Sequence, residues 1–333
     1  MGSEHSKNES KGAARDVIVV NPAFPSSENR LSCCDFLVHI FAIKYKMPDS
    51  KCAVIHVKVN GNVMNDMQMS LLDERCLFIR ASEKSPFRPP SDTLKKLVQY
   101  LNPGRNTIQY LVFSKPNNTN PDFVIESHIH LWSSFDSIIV CDIDGTITKS
   151  NMHGIIDHSH VHSGICRLFS ELVSYSDTLP HSLTNYSKNM QIKLDTDDQD
   201  ESTKFNNPYS CPSEKHNRNL IDKKATIRYL YLTNRPMSWF GFTKRFLSNL
   251  KQVKNHLSKE QHIVQHSKST NYNESSYFNL PLGALFCQEG RVANALCFEI
   301  TKRGNVVKHK TLSKQIVAPF EIAGRPLVSE INT

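Results

Sequence analysis

The apolar positions of this chain fall into two textures. From Asp16 to Trp132 they come in short runs rich in β-branched and aromatic residues: Asp16-Val-Ile-Val-Val20, Phe36 to Phe41, Cys52 to Val59, Leu77 to Arg80, Thr107 to Val112 and His128 to Trp132. Turns with Asn, Gly and Pro separate these runs, and Asn60-Gly61 is a hairpin signal. Thr93 to Leu101 is a short helix-like patch. Several short strands at this spacing predict a β-sandwich over 16–134.

From Phe135 onward strand and helix alternate. Ile138 to Cys141 is a four-residue apolar run, the mark of a strand buried on both faces in a parallel sheet. Ile227 to Leu232 predicts a second such strand. Trp239, Phe242, Phe246, Leu250 and Val253 then recur at helical spacing, with Lys244, Arg245, Lys251 and Lys254 interleaved. That face is expected to pack on the sheet, a membrane-lying helix being the alternative. Residues 176–224, with TDDQDEST and NNPYSCPSEKHNRN, break the pattern and predict a disordered insertion. Residues 1–15 are polar and charged, and predict a disordered leader.

Composition narrows the setting. The 333 residues allow two domains, and the net charge of +8 favours anionic partners. Nine scattered cysteines without a CxxC pair point to a reducing compartment. No apolar run approaches the roughly 18 residues of a membrane span, and no signal-peptide core is evident. Met1-Gly2-Ser3-Glu4-His5-Ser6 fits the N-myristoylation pattern, which makes Gly2 a candidate lipidation site.

The chemistry concentrates after the first parallel strand, in Asp142-Ile-Asp-Gly-Thr-Ile-Thr148. Open α/β sheets bind ligands at the carboxyl ends of their strands. Two carboxylates one residue apart on a turn suit a site where one attacks phosphorus, the other handles a proton and Mg²⁺ screens both. A lone pair of this kind would be an Asx turn. The apolar strand before it and the glycine-threonine turn after it favour phosphoryl transfer.

The order of motifs resembles the lipin family of phosphatidate phosphatases, a branch of the haloacid-dehalogenase-like enzymes. DVIVVNP, RLSCCDFLVHIF and Val54 to Gly61 resemble its amino-terminal segment. LNPGRNTIQYLV, HIHLWSSFDSIIVCDIDGTITKSN, HSGICRLFSEL, YLYLTNRPMSWFGFTKRFL and LPLGALFCQEGRVANALCFEITKRGNVVKHKTL follow the carboxy-terminal one in order. The resemblance implies an α/β Rossmann-like haloacid-dehalogenase-type catalytic domain over 135–333, and an all-β immunoglobulin-like domain over 16–134. It implies Asp142 as the nucleophile, Asp144 as the acid/base, and Asp142 with the backbone carbonyl of Asp144 as ligands of Mg²⁺. Thr146 and Thr233 would bind the phosphoryl oxygens. Lys308, preferred to Lys310, would neutralise developing charge. His162 falls near the site; a metal cluster within His158-Ser-His-Val-His162 is the weaker idea.

The implied reaction converts phosphatidate to diacylglycerol and phosphate at a phosphatidate-containing membrane. The enzyme would be cytoplasmic, peripheral on endoplasmic reticulum or nuclear membrane, with no nucleic-acid contact. The alternative is a catalytically inactive lipin-like protein that binds membrane or regulates a partner; a soluble phosphatase for small phosphomonoesters ranks third. Some departures bear on this choice. Asn151 stands where the family has Asp, and the leader lacks an amphipathic helix. Glu321 to Glu330 also does not match the family's GNR-containing acidic loop, so the last part of the catalytic domain is expected to be incomplete.

Overall fold

The structure is a computed structural model that describes residues 11–22, 30–41, 53–115, 118–149, 161–178, 226–254, 277–289 and 304–325. Nine strands form one sheet: β1 (Gly12–Ala14), β2 (Val17–Asn21), β3 (Ser32–Cys33), β4 (Val38–Ile40), β5 (Val54–Val59), β6 (Asn62–Leu72), β7 (Arg75–Phe78), β8 (Gly104–Phe113) and β9 (Phe123–Ser133). Their order is β1-β4-β7-β6-β5-β8-β9-β2-β3. Alternation drives the assembly. Ile55, Val57 and Val59 of β5 and Ile108, Tyr110 and Val112 of β8 are all buried in one core. The β5–β6 hairpin turns through Asn60 (φ 47°) and Gly61 (φ 87°), the positive-φ pair that a two-residue turn needs. Helix α1 (Ser91–Val98) buries Leu94 and Leu97 in the same core.

The strands expected to build a sandwich are hydrogen-bonded into a single sheet, which curls until β1 meets β9. A Cβ on Gly12 would lie 2.5 Å from Ile125 Cδ1, so the glycine is what lets the two strands approach. The leader expectation is corrected at this point. Gly12–Ala14 is a strand paired with β4, and Arg15 is fully buried. Arg15 donates from Nη2 to the Asp35 carbonyl and to Gln315 Oε1, and its guanidinium lies over Phe286. Those partners make ordering of a polar segment favourable, where composition alone predicts disorder. Residues 1–10, with Gly2, lie outside the described residues, as does most of the 176–224 insertion.

A second sheet has three parallel strands in the order β10-β11-β14: β10 (Ser137–Asp142), β11 (Ile227–Pro236) and β14 (Ala284–Gln288). β10 and β11 run in register from Ser137↔Ile227 to Asp142↔Leu232. Side chains alternate between two cores. Leu230, Leu232, Ala284 and Phe286 face the curled sheet, whereas Tyr229, Tyr231, Leu285 and Cys287 face the helical layer. Gly283 allows β14 to approach β11, because a Cβ there would sit 2.5 Å from the Tyr229 carbonyl oxygen. Among the described strands β10 pairs with β11 alone, and Val140 is 44% exposed on its open side.

The helical layer is built from α2 (Ile165–Thr178) and α3 (Phe240–Asn249), with the short ribbon β12 (Lys251–Val253) and β13 (Tyr277–Asn279) beside them. The helix expected over 239–253 therefore ends early, and its last residues form β12. Phe240, Phe246 and Leu247 are buried while Phe242 is 64% exposed. The sheet-packing face is thus real but narrower than the spacing predicted. Helix α4 (Gly304–Leu312) continues through a π-helical turn over Ser313–Val317 into α5 (Ala318–Ile322). The turn aims Gln315 inward, where it accepts from the Asp35 N–H and donates to Asp35 Oδ2.

Candidate active site

Parallel pairing brings the carboxyl ends of β10 and β11 together, and with them the polar residues that each strand carries beyond its apolar run. Asp142 is the last residue of β10. The chain then folds sharply: the Ile143 carbonyl accepts from the Ile147 and Thr148 N–H groups and from Thr148 Oγ1. Gly145, at φ 88°, supplies a conformation that L side chains rarely adopt. The turn fixes Asp144 on the same side of the sheet as Thr233 and Arg235 of β11.

Asp144 is held at both oxygens. Thr233 Oγ1 donates to Oδ2 at 2.6 Å; Arg235 donates to Oδ1 from Nε at 3.0 Å and from Nη2 at 2.7 Å. Thr233 Oγ1 in turn accepts from the Arg235 N–H. Asp142 is paired with Lys308, whose Nζ donates to Oδ2 at 2.7 Å from the middle of α4. Lys310, the other lysine considered, is exposed one turn-fraction on. Asp142 Oδ1 and Arg235 Nη1 are buried atoms without a hydrogen-bond partner among the described residues. Burial pushes the neighbouring Cys141 thiol up to about 12, with Asp142 adding to the effect, so this cysteine stays neutral beside the site.

Thr146 lies exposed in the turn after Asp144. His162 is tied to the same turn through its N–H, which donates to the Ile147 carbonyl at 2.9 Å. The rest of the proposed histidine cluster, His158 and His160, lies outside the described residues. Among the described residues no group of three or more His, Cys, Asp or Glu is placed to hold a metal. The fit to Mg²⁺ thus rests on the two aspartates. Asp142 Oδ1, a hard oxygen donor that is buried and unpaired, is the kind of ligand that ion takes. Sequence reasoning gave a role to Thr233 but none to Arg235. An arginine closing an apolar strand signals a need for acceptors, but only the fold shows that Asp144 supplies them.

A parallel sheet that presents two aspartates one residue apart and a threonine at its carboxyl edge, with a lysine reaching in from α4, is an arrangement that suits phosphoryl transfer. The LNS2 (Lipin/Ned1/Smp2) family matches residues 85–178, which run from before α1 through the Asp142–Asp144 turn into α2. The chain is also similar to Nuclear elongation and deformation protein 1 of Schizosaccharomyces pombe. The two are 27% identical over 120 residues, covering 31% of this chain and 17% of the relative. The chain thus matches only a small part of that relative's length. Residues 85–178 are thus similar to the lipin LNS2 domain, which is haloacid-dehalogenase-like and phosphatase-like.

Proposed function

We propose that this chain is a Mg²⁺-dependent phosphatidate phosphatase, which hydrolyses phosphatidate to diacylglycerol and phosphate through an aspartyl-phosphate on Asp142. The observation that carries the reading is the pairing at the sheet edge: Lys308 on Asp142, and Thr233 with Arg235 on Asp144. An Asp142 oxygen attacks phosphorus, the bond to the glycerol oxygen breaks, and Asp144 delivers a proton to that leaving oxygen. In the second half Asp144 takes a proton from water, which attacks the phosphorus and frees Asp142 and phosphate. Mg²⁺, when bound through Asp142 and Asp144, supplies charge screening at the phosphoryl oxygens. Lys308 sits where it neutralises charge on the attacking carboxylate, and the Thr146 and Thr233 hydroxyls serve as phosphoryl donors.

In this reading the curled nine-stranded sheet, which takes in β1 ahead of residue 16, is the immunoglobulin-like domain expected over 16–134, and the parallel sheet is the core of a Rossmann-like catalytic domain over 135–333. The substrate places the protein on a phosphatidate-containing membrane, peripheral on endoplasmic reticulum or nuclear membrane, with the Gly2 lipidation pattern as one anchor. Among the described residues no helix is long and apolar enough to cross a membrane. The test is phosphate release from phosphatidate in mixed micelles with Mg²⁺ titrated. Turnover by the wild-type chain and its loss in Asp142→Asn are expected. Equal turnover by both, or none by either, would sink the reading; in the second case the non-catalytic, regulatory role takes its place.

A further inference from the structure

Arg235 is only 4% exposed, yet it spends its donors on one side only. Nε and Nη2 both go to Asp144 Oδ1, while Nη1 is buried with no hydrogen-bond partner among the described residues. An arginine offers five N–H donors in a rigid fork, and leaving one idle in a buried position is costly unless something arrives to use it. We infer that Arg235 is a substrate ligand as well as the clamp on Asp144: Nη1 donates to a phosphoryl oxygen of the incoming phosphomonoester. The inference rests on the phosphoryl-transfer reading and adds a residue that sets which charge state of substrate the site takes.

Charge supports it. Before Asp144 takes up the proton that it delivers, Asp142 and Asp144 carry two negative charges, and Lys308 and Arg235 carry two positive ones, paired one to one. A divalent cation and a phosphomonoester dianion then enter as a neutral couple, and the site stays balanced. Without Arg235 one negative charge is left unmatched where the Asp144 side chain is only 7% exposed, and such a charge is expensive away from water. The site therefore favours a dianionic monoester together with the cation, and discriminates less in favour of it once the guanidinium is gone. Lysine is a poor substitute, because a point charge cannot grip Asp144 with two bonds and still offer a fixed donor to phosphate.

The experiment measures inorganic phosphate binding to the full chain by calorimetry, with Mg²⁺ present. It compares wild type, Arg235→Lys, Asp144→Asn, and Asp144→Asn combined with Arg235→Gln. The last variant replaces the whole ion pair by neutral shapes of similar size, so it keeps the fold testable if Arg235→Gln alone does not. Relative to Asp144→Asn, the double variant is expected to lose about tenfold or more in phosphate affinity, the size of one charge-assisted bond. Arg235→Lys is expected to fall between wild type and the double variant, and to raise KM for a soluble phosphomonoester more than it lowers kcat. Equal affinity in the single and double variants, with wild type still binding phosphate, would overturn the assignment of Arg235 alone. Absence of phosphate binding and phosphomonoester turnover in wild type would overturn it together with the phosphatase reading.

Discussion

Two aspartates anchor this molecule, Asp16 buried between the sheets and Asp142 half-buried at the parallel sheet's edge, and they are treated in opposite ways. Asp16 is fully buried. It accepts from Ser127 Oγ at 2.9 Å, the His128 N–H at 3.0 Å, the Leu285 N–H at 2.9 Å and Lys244 Nζ at 2.5 Å. Those partners belong to β9, β14 and α3, so one carboxylate ties the curled sheet to the parallel sheet and its helix. Asp142 is still 35% exposed and, among the described residues, has the single cation Lys308 and keeps one oxygen without a partner. A buried charge that is fully satisfied holds a fold together; one left partly unsatisfied beside water is free to take a ligand. That difference separates joint from site here more sharply than charge or burial does.

Breaking the joint gives the largest stability effect. Asp16→Asn leaves Lys244 short of its counter-charge and the Leu285 N–H with a weaker acceptor, and is expected to cost about 3 to 5 kcal/mol in denaturant unfolding. Asp142→Asn should leave stability nearly unchanged by the same measurement, because its side chain serves chemistry rather than packing. Equal losses in the two variants would erase the distinction.

Gly283→Ala is next. The new methyl would meet the Tyr229 carbonyl oxygen at 2.5 Å, and backbone on a parallel strand cannot swing aside as a side chain can. The expected loss is about 1 to 3 kcal/mol, read as a shift in the unfolding midpoint.

Titration sharpens the comparison more gently. Burial alone would raise the Asp16 value, but Lys244 and the two histidines, His128 and His130, hold its carboxyl well below the ordinary range. A group whose folded value is depressed contributes fully above its unfolded value and loses that contribution as pH falls through the folded one. The stability gap between wild type and Asp16→Asn should therefore narrow on acidification. A gap that stays constant into strong acid would contradict the account. Smallest of all, Phe242→Ser should change stability by no more than about 0.5 kcal/mol, since its ring is mostly in solvent.

Much of this was legible along the chain, and the failures share a cause. The strands with clean alternation, β5 and β8, the Asn60-Gly61 hairpin and the parallel strands β10 and β11 follow from local pattern. β6 does not. Its pairing with β5 slips between His56 and Val57, so Met64 and Met67 are buried three apart and the period of two is lost. β1 is three small residues, Gly12-Ala-Ala14, with no pattern to read until Arg15 finds Asp35 and Gln315 far along the chain. In the site, Asp142, Asp144, Thr233 and Lys308 were named from motif. The Arg235–Asp144 pair spans 91 positions with an insertion between, and no local spacing encodes it.

The central claim is that the unsatisfied Asp142 carboxylate is a nucleophile, and trapping its product tests that most directly. The wild-type chain is mixed with phosphatidate and Mg²⁺, quenched in acid within the first turnovers and analysed by peptide mass spectrometry. A phosphoryl group on the peptide carrying Asp142, absent from the Asp142→Asn chain, is the predicted result. Steady phosphate release with that peptide unmodified at every quench time, or the label on another residue, would contradict the account.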